Sequence, residues 1–435
     1  MEKGEQKTEG IAYASVAAIE AFQEGLLQEQ LAYLASSSPF YQRLFVKHQV
    51  DVSTIRRLSD LEQLPTTCKD DLQLYNDDFL CVPQEEIIDY CTTSGTLGTP
   101  VTFGLTDKDL DRLATNEMQS FETVGVKSGD RVQLMTTMDR RFMAGLAYFL
   151  GLRKLGAGVI RVGSGIPQMQ WDSILKYKPT YLIGVPSFLL KLIEFAEQHD
   201  IDYNNCSVKA VICIGEALRD KDLNNTILTN RIASKWKVDL HSTYASTEMG
   251  AAFTECNDFK GGHVQPDLII TEILDEQGKW VADGESGELV VTTLGVEGLP
   301  LLRFKTGDIV RRHTEPCACG RHTYRIGPVE GRKQHMVKYK GTTLYPPAMH
   351  DLLAGFPEIL LHQIELFHNE IGTDEIIIRL VSANESEDFI NEIKDYFRAK
   401  LRVAPKIELC KLEVLQQSVF NPMSRKPITF VDNRL

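Results

Sequence analysis

The chain is 435 residues long, too long for one ordinary hydrophobic core, so two or three domains are expected. Hydrophobic residues make up 43% and charged residues 25%, the composition of a soluble globular protein, and the net charge of -13 argues against a nucleic-acid surface, which needs clustered Lys and Arg. No apolar run reaches the roughly eighteen residues of a membrane-spanning helix. The N-terminal "MEKGEQKTEG" lacks the apolar stretch of a secretory signal, and nine scattered cysteines suit free thiols or a metal site better than a disulfide framework, so the cytoplasm is the expected location.

Taken in chain order, residues 11–48 repeat apolar positions at three- and four-residue spacing and read as helical, punctuated at Pro39. From about residue 87, short apolar runs alternate with helical stretches. "RVQLMTT" (131–137), "YLIGVP" (181–186) and "AVICIG" (210–215) each end in Gly, Pro or Thr, and residues 186–198 read as a helix. This alternation predicts a parallel, helix-covered sheet with functional loops at the carboxyl ends of the strands. Between about 265 and 312, "LIITEILD", "GELVVTTL" and "IVRRH" are separated by turn signals and predict antiparallel pairing. The last hundred residues predict a small α+β unit, with strands in "EIIIRLV" and "IELCKLEVL" and an amphipathic helix in "SEDFINEIKDYFRAKL". The fold class is therefore α/β: a large N-terminal domain with parallel helix-covered sheets and a small antiparallel β region, then a small α+β domain. The pattern changes near Gly331–Lys333.

Five stretches carry candidate chemistry. "TTSGTLGTP" (92–100) sets hydroxyls at Thr93, Ser94 and Thr96 beside Gly95 and Gly98, which allow close backbone approach to an anion. No Gly-Lys-Ser/Thr closes this loop, so it is not a Walker loop, and alone it reads as a turn. In "STYASTEMG" (242–250), Tyr244 can stack on a base, Thr247 can bond a phosphate oxygen and Glu248 can hold Mg²⁺. "LPLLRFKTGDIV" (299–310) ends a strand on Thr-Gly-Asp, where Asp308 can accept the two hydroxyls of a ribose. "GRKQHMVKYKG" (331–341) places Arg332 at the domain boundary, and "NPMSRKPITFVDNR" (421–434) offers Lys426 on a loop near the end of the chain. Singly, each is an ordinary turn, cap or solvated charge.

Together and in this order they resemble the adenylate-forming superfamily of acyl-CoA synthetases, adenylation domains and luciferases. Within it, the short length, "SSPFYQRLF", "LPTTCKDDL", "LPLLRFKTGD", "CACGR" and "KPITFVDNR" are most similar to the phenylacetate–CoA ligases. The resemblance implies an N-terminal adenylation domain over 1–331 that binds ATP and an acid, and a mobile C-terminal lid over 332–435. It implies attack of a carboxylate on the α-phosphorus of Mg·ATP, then displacement of AMP by the thiolate of coenzyme A. On this match the 93–98 loop wraps the β- and γ-phosphates, Thr247 and Glu248 serve the α-phosphate and magnesium, and Gly215, Glu216 and Ala217 flank the adenine. Asp308 matches the ribose ligand, Arg332 joins the nucleotide-binding set, and Lys426 matches the lysine that bridges carboxylate and nucleotide. The chain departs from the family pattern at Leu97, at Lys305, at Thr429 and at Gln334–His335, which replace an acidic hinge pair.

"TTMDRRFMAGLAYF" (136–149) offers Phe142, Met143 and Tyr148 as walls of an apolar acid pocket, although such a cluster is also the signature of a buried helix. The expected substrate is a hydrophobic, aromatic monocarboxylic acid, with Arg140 and Arg141 allowing a second anionic group. An adenylating enzyme that loads a carrier protein, and a non-catalytic nucleotide-binding relative, are the rival readings; a monomer or homodimer is expected. Finally, Cys317 and Cys319 on a tight turn, with Cys256 and His263 in "ECNDFKGGH", form a Cys₃His set suited to structural Zn²⁺ if the two loops meet. His313 and His322 flank the cysteine pair and leave the fourth ligand open.

Overall fold

The structure, a computed structural model, describes residues 10–93, 101–339, 342–368, 374–420 and 427–434. The chain divides into two compact units. The larger contains Met1–Asn224, Arg231–Thr306 and Val310–Pro328; the smaller contains Asn225–Asn230, Gly307–Ile309 and Val329–Leu435.

In the larger unit the N-terminal helical stretch is two helices, Val16–Ser37 and Pro39–His48. Ser15 caps the first by accepting from Ala18 N, and Ser38 caps the second, with Pro39 in its first turn. Leu27, Leu31 and Leu34 recur at helical spacing and are buried.

The dominant sheet is mixed. Its parallel half runs Asp239–Ser246, Ala210–Ile214, Tyr181–Gly184, Arg131–Leu134, Gly158–Arg161, every neighbouring pair parallel. Val132, Leu134, Leu182, Ile183, Val211 and Ile212 are buried, as continuous apolar runs covered on both faces require. Beyond Asp239–Ser246 the sheet turns antiparallel through Ala251–Glu255 and Gly262–His263, and Ile269–Leu274 pairs antiparallel with Ser286–Thr293. Helix Asp107–Val124 starts at a capping box between Thr106 and Asp109 and ends at Gly125 in the left-handed region, φ 103°. The helix expected over 186–198 is Pro186–Gln198.

In the smaller unit a four-stranded sheet runs Lys406–Leu409, Asp374–Ser382, Ile359–His368, Phe430–Asp432. Helix Glu387–Leu401 closes one core with Ile364, Leu366, Ile378, Leu380, Phe389, Ile393 and Phe397.

Two expectations are corrected. "IELCKLEVL" is not one strand: the strand is Lys406–Leu409, and Leu412–Val419 is a helix whose Leu415 and Val419 pack beside Val381. Leu412, Leu415 and Val419 are spaced for a helix, but the stretch read as a strand ends at Leu415 and holds too little of that period to show it. Thr-Gly-Asp does not end its strand either. Phe304–His313 runs through it, because Gly307 takes φ 77° and lets the strand kink and continue into buried Ile309 and Val310.

Candidate active site

Parallel strands in register bring their following loops to one edge. Ile214 pairs with Thr243, so Gly215–Ala217 leave their strand beside Tyr244, and the neighbouring strand runs on to Ser246 before Thr247 leaves it in the same direction. Gly215 has φ 78°, which turns the chain sharply there. Glu216 lies over the start of helix Pro186–Gln198: its carboxylate accepts from Ser187 N and Ser187 Oγ, both at 2.8 Å. An anion at the N-terminus of Pro186–Gln198 satisfies an otherwise open amide and meets the positive end of the helix dipole.

Tyr244 is inside strand Asp239–Ser246 and meets Phe253 edge-on, ring centroids 5.9 Å apart. Thr247 and Glu248 occupy the turn that joins this strand to Ala251–Glu255, both half-buried. The turn is closed by Met249 N donating to Ser246 Oγ at 3.3 Å and Gly250 N donating to Ser246 O at 3.3 Å. Thr93 is buried and bonds Val101 through both its amide and its hydroxyl. Ser94, Gly95, Thr96 and Gly98 lie outside the described residues, as does Lys426.

The three pocket candidates differ. Met143 packs with Cys91, Leu105, Leu113 and Ala147. Tyr148 is in the core, with its ring 6.1 Å from Phe121. Phe142 is half-buried at the N-terminus of helix Met143–Leu155. The preceding Arg140 and Arg141 both have φ 57°, two consecutive non-glycine residues in the left-handed region.

In the smaller unit Asp308 and Arg332 are antiparallel partners, with Arg332 Nε 3.3 Å from Asp308 Oδ1. Gln334 and His335 form the short turn that follows. Arg434 donates to Gln334 O and Met336 O and pairs with Asp374 and Asp432, while burial lowers the His335 imidazole to about 4.

The cysteine pair and the loop after Ala251–Glu255 do meet. Cys256 Sγ is 3.4 Å from Cys317 Sγ, and Cys319 Sγ is 3.4 Å from His263 Nε2. The four donor atoms of Cys256, His263, Cys317 and Cys319 lie within 4.8 Å of one another. Zinc–sulfur bonds of about 2.3 Å in a tetrahedron put sulfurs about 3.7 Å apart, so this group needs little movement to hold an ion. His263 Nδ1 bonds Thr323 Oγ1 at 2.9 Å, which orients the ring with Nε2 toward the thiols. His322 instead points Nδ1 at Ala14 O, 2.9 Å away.

Sequence reasoning passed over the polar residues of helix Asp107–Val124. Arg112 reaches Gly250 O at 2.8 Å, Asn116 Oδ1 accepts from Ala252 N at 3.0 Å, and Ser120 bonds Thr254. The available signal was their i, i+4, i+8 spacing on a face shared with Leu113, Phe121 and Val124.

With this geometry in place, the class follows from comparison. The model of the AMP-binding enzyme family matches residues 30–297, more than half of the chain, and the protein belongs to that family. Among curated proteins, the chain is 29% identical to the phenylacetate–coenzyme A ligase of Thermus thermophilus, over 86% of this chain and 83% of that one. It is also 29% identical to the phenylacetate–coenzyme A ligase of Escherichia coli, over 83% of this chain and 82% of that one. Among solved structures, 2-hydroxyisobutyryl-CoA ligase in its postadenylation state superposes with a TM-score of 0.82 at 24% identity, covering 97% of this chain and 91% of that one. That match shows the fold.

Proposed function

We propose that the protein is an ATP-dependent, AMP-forming acyl-CoA ligase acting on a hydrophobic, aromatic monocarboxylic acid of the phenylacetate type. The carboxylate attacks the α-phosphorus of ATP and pyrophosphate leaves; the thiolate of coenzyme A then displaces AMP from the acyl adenylate. Such in-line transfer needs positioning and charge neutralisation more than covalent help. Thr247 bonds the α-phosphate, Glu248 holds Mg²⁺, Tyr244 and Gly215–Ala217 flank the adenine, Asp308 takes the ribose hydroxyls with Arg332 beside it, and Lys426 bridges carboxylate and nucleotide. Thr93 leads into the phosphate loop, and Phe142 is the candidate wall of the acid pocket. Residues 1–331 form the adenylation domain and 332–435 a lid that exchanges the two half-reactions.

Family membership, together with the Thr247–Glu248 turn and Gly215–Ala217 at one carboxyl edge of a parallel sheet, supports this reading most. The test is pyrophosphate exchange with Mg·ATP across a panel of aromatic, medium-chain, 2-hydroxy and amino acids, followed by AMP release with coenzyme A. Exchange strongest with an arylacetic acid is the expected result. Silence across the panel would overturn the reading, and preference for acetate or an amino acid would overturn the substrate class.

The Cys256, His263, Cys317 and Cys319 group is proposed to hold one structural Zn²⁺. Its chemistry supports this: three thiols and an imidazole, mostly buried, already converge, and four protein donors leave no open coordination position for a reaction. Cys319 is held well below the ordinary thiol range, first by the hydrogen bond with Cys256 and then by His263.

A further inference from the structure

Arg112 is a cation set among main-chain carbonyls. Its Nε donates to Leu294 O at 2.6 Å, one terminal nitrogen to Gly250 O at 2.8 Å and the other to Leu268 O at 2.6 Å. Among the described residues no carboxylate lies within ion-pair distance of it, although Asp109 and Asp267 contribute favourable charge from farther off. Holding a half-buried guanidinium against neutral carbonyls costs solvation that an apolar residue would avoid, and a more strongly hydrated ammonium would lose still more. The three carbonyls explain what the fork accomplishes. Leu268 and Leu294 stand at the same end of the antiparallel pair Ile269–Leu274 and Ser286–Thr293, where Leu294 N also donates to Leu268 O at 2.8 Å. Gly250 is the last residue of the turn that carries Thr247 and Glu248.

That turn is therefore held from two sides. Ser246 closes it from within the strand, through the amides of Met249 and Gly250. Arg112 pins its far end to the neighbouring strand pair. Gly250 adopts φ 51°, and a Cβ there would stand 3.3 Å from the Arg112 guanidinium, so the close approach also favours glycine. Farther along the same helix face, Asn116 and Ser120 bond Ala252 and Thr254, securing the strand that the turn feeds.

We propose that Arg112 is a positioning residue for adenylation: its three-way clamp locks the Thr247–Gly250 turn, so that Thr247 and Glu248 receive the nucleotide without rearranging. The inference rests on the functional reading above for those two side chains. A planar fork with five donors can span three carbonyls; an ammonium on a flexible stem cannot hold the same three at once.

The test compares Arg112→Lys and Arg112→Met with Ser120→Ala, which loosens the same helix–strand contact away from the turn. Two measurements are made on full-length protein: amide hydrogen exchange over residues 247–250, and pyrophosphate exchange with Mg·ATP and acid varied separately. The expected result is faster amide exchange in the turn, KM for Mg·ATP raised about tenfold and kcat lowered by up to about 100-fold for Arg112→Met, the acid KM little changed. Arg112→Lys should recover part of the loss, and Ser120→Ala should behave as wild type. Unchanged turn protection in a folded Arg112→Lys protein would overturn the clamp. Loosened protection with wild-type kinetics would overturn its role in the reaction. If Arg112→Met does not fold, Arg112→Lys decides. A wild-type enzyme inert toward every acid would instead sink the functional reading, and amide exchange would still decide whether Arg112 holds the turn.

Discussion

The two ends of strand Ala251–Glu255 carry opposite kinds of site. At its start, the Thr247–Gly250 turn presents a hydroxyl and a carboxylate, half-buried and open to a ligand. At its end, Cys256 joins two thiols and an imidazole in a cluster whose donors face one another. All five residues between are buried, and Asn116 and Ser120 bond the strand from the helix behind it. On the proposed function, oxygen donors that release a nucleotide each cycle stay accessible, and donors that hold an ion permanently turn inward. The same short element would then link a place for chemistry to a place for stability, and the two should be separable by mutation.

The largest effect is expected at the open end. Glu248→Gln keeps the shape and removes the charge, so pyrophosphate exchange should fall by two to three decades, about 3–4 kcal/mol of transition-state stabilisation, with Tm unchanged. A matching loss of Tm would mean that Glu248 serves the fold.

The closed end should show the reverse. Cys317→Ser should lower the zinc content, near one per chain in protein purified without chelator or affinity histidines, and lower Tm by several degrees, while kcat of the folded fraction changes little. Metal-free protein of full stability would end the zinc assignment. Loss of activity without loss of stability would place the cluster in the reaction and break the contrast between the two ends.

A smaller, pH-dependent effect is expected in the middle. Burial raises the Glu117 carboxyl to about 8, with Asn116 Nδ2 donating to its Oε1 at 3.1 Å and opposing the shift. Gly151 keeps the next helix so close that a Cβ there would meet Glu117 Cβ at 2.3 Å, which leaves water little room. Since the folded state holds this proton up to about 8 and the unfolded chain releases it near 4.5, stability should fall as pH rises between those values. The slope is at most roughly 1.4 kcal/mol per pH unit for one proton, and it flattens above the folded value. Urea unfolding of wild type and Glu117→Gln from pH 5 to 9 checks this: the variant should lose that component of the slope. An unaltered slope would show that Glu117 ionises normally and that the strand is not supported through a neutral carboxyl.

Much of this was legible in one dimension, because local chemistry writes it there. Apolar runs ending in Gly, Pro or Thr gave the parallel strands, and the helix over Pro186–Gln198 followed from its period and its proline. Motif order pointed to the family, since each loop chemistry recurs at a set place along the chain. "KLEVL" was misread because its five residues hold too little of a helical period to outweigh the strand beside it. The kink at Gly307 was invisible for a related reason: a positive φ can end a strand or bend it, and only the pairing of Asp308 with Arg332 decides between them.

By itself the sequence determined the elements, the order of the motifs and which side chains have the right chemistry, because propensity, period and turn residues act over a few positions. Only the tertiary structure decided which distant groups share a space. Cys256 and Cys317 are 61 residues apart and reach 3.4 Å; Arg303 and Glu272 are 31 apart and form a buried pair at 2.8 Å. Arg112 reaches a carbonyl 138 residues away. Nothing in the local pattern distinguishes such residues from solvated charges. A buried polar group keeps its place only when a partner compensates its lost hydration, and that partner is supplied by sheet register and helix packing across the whole unit.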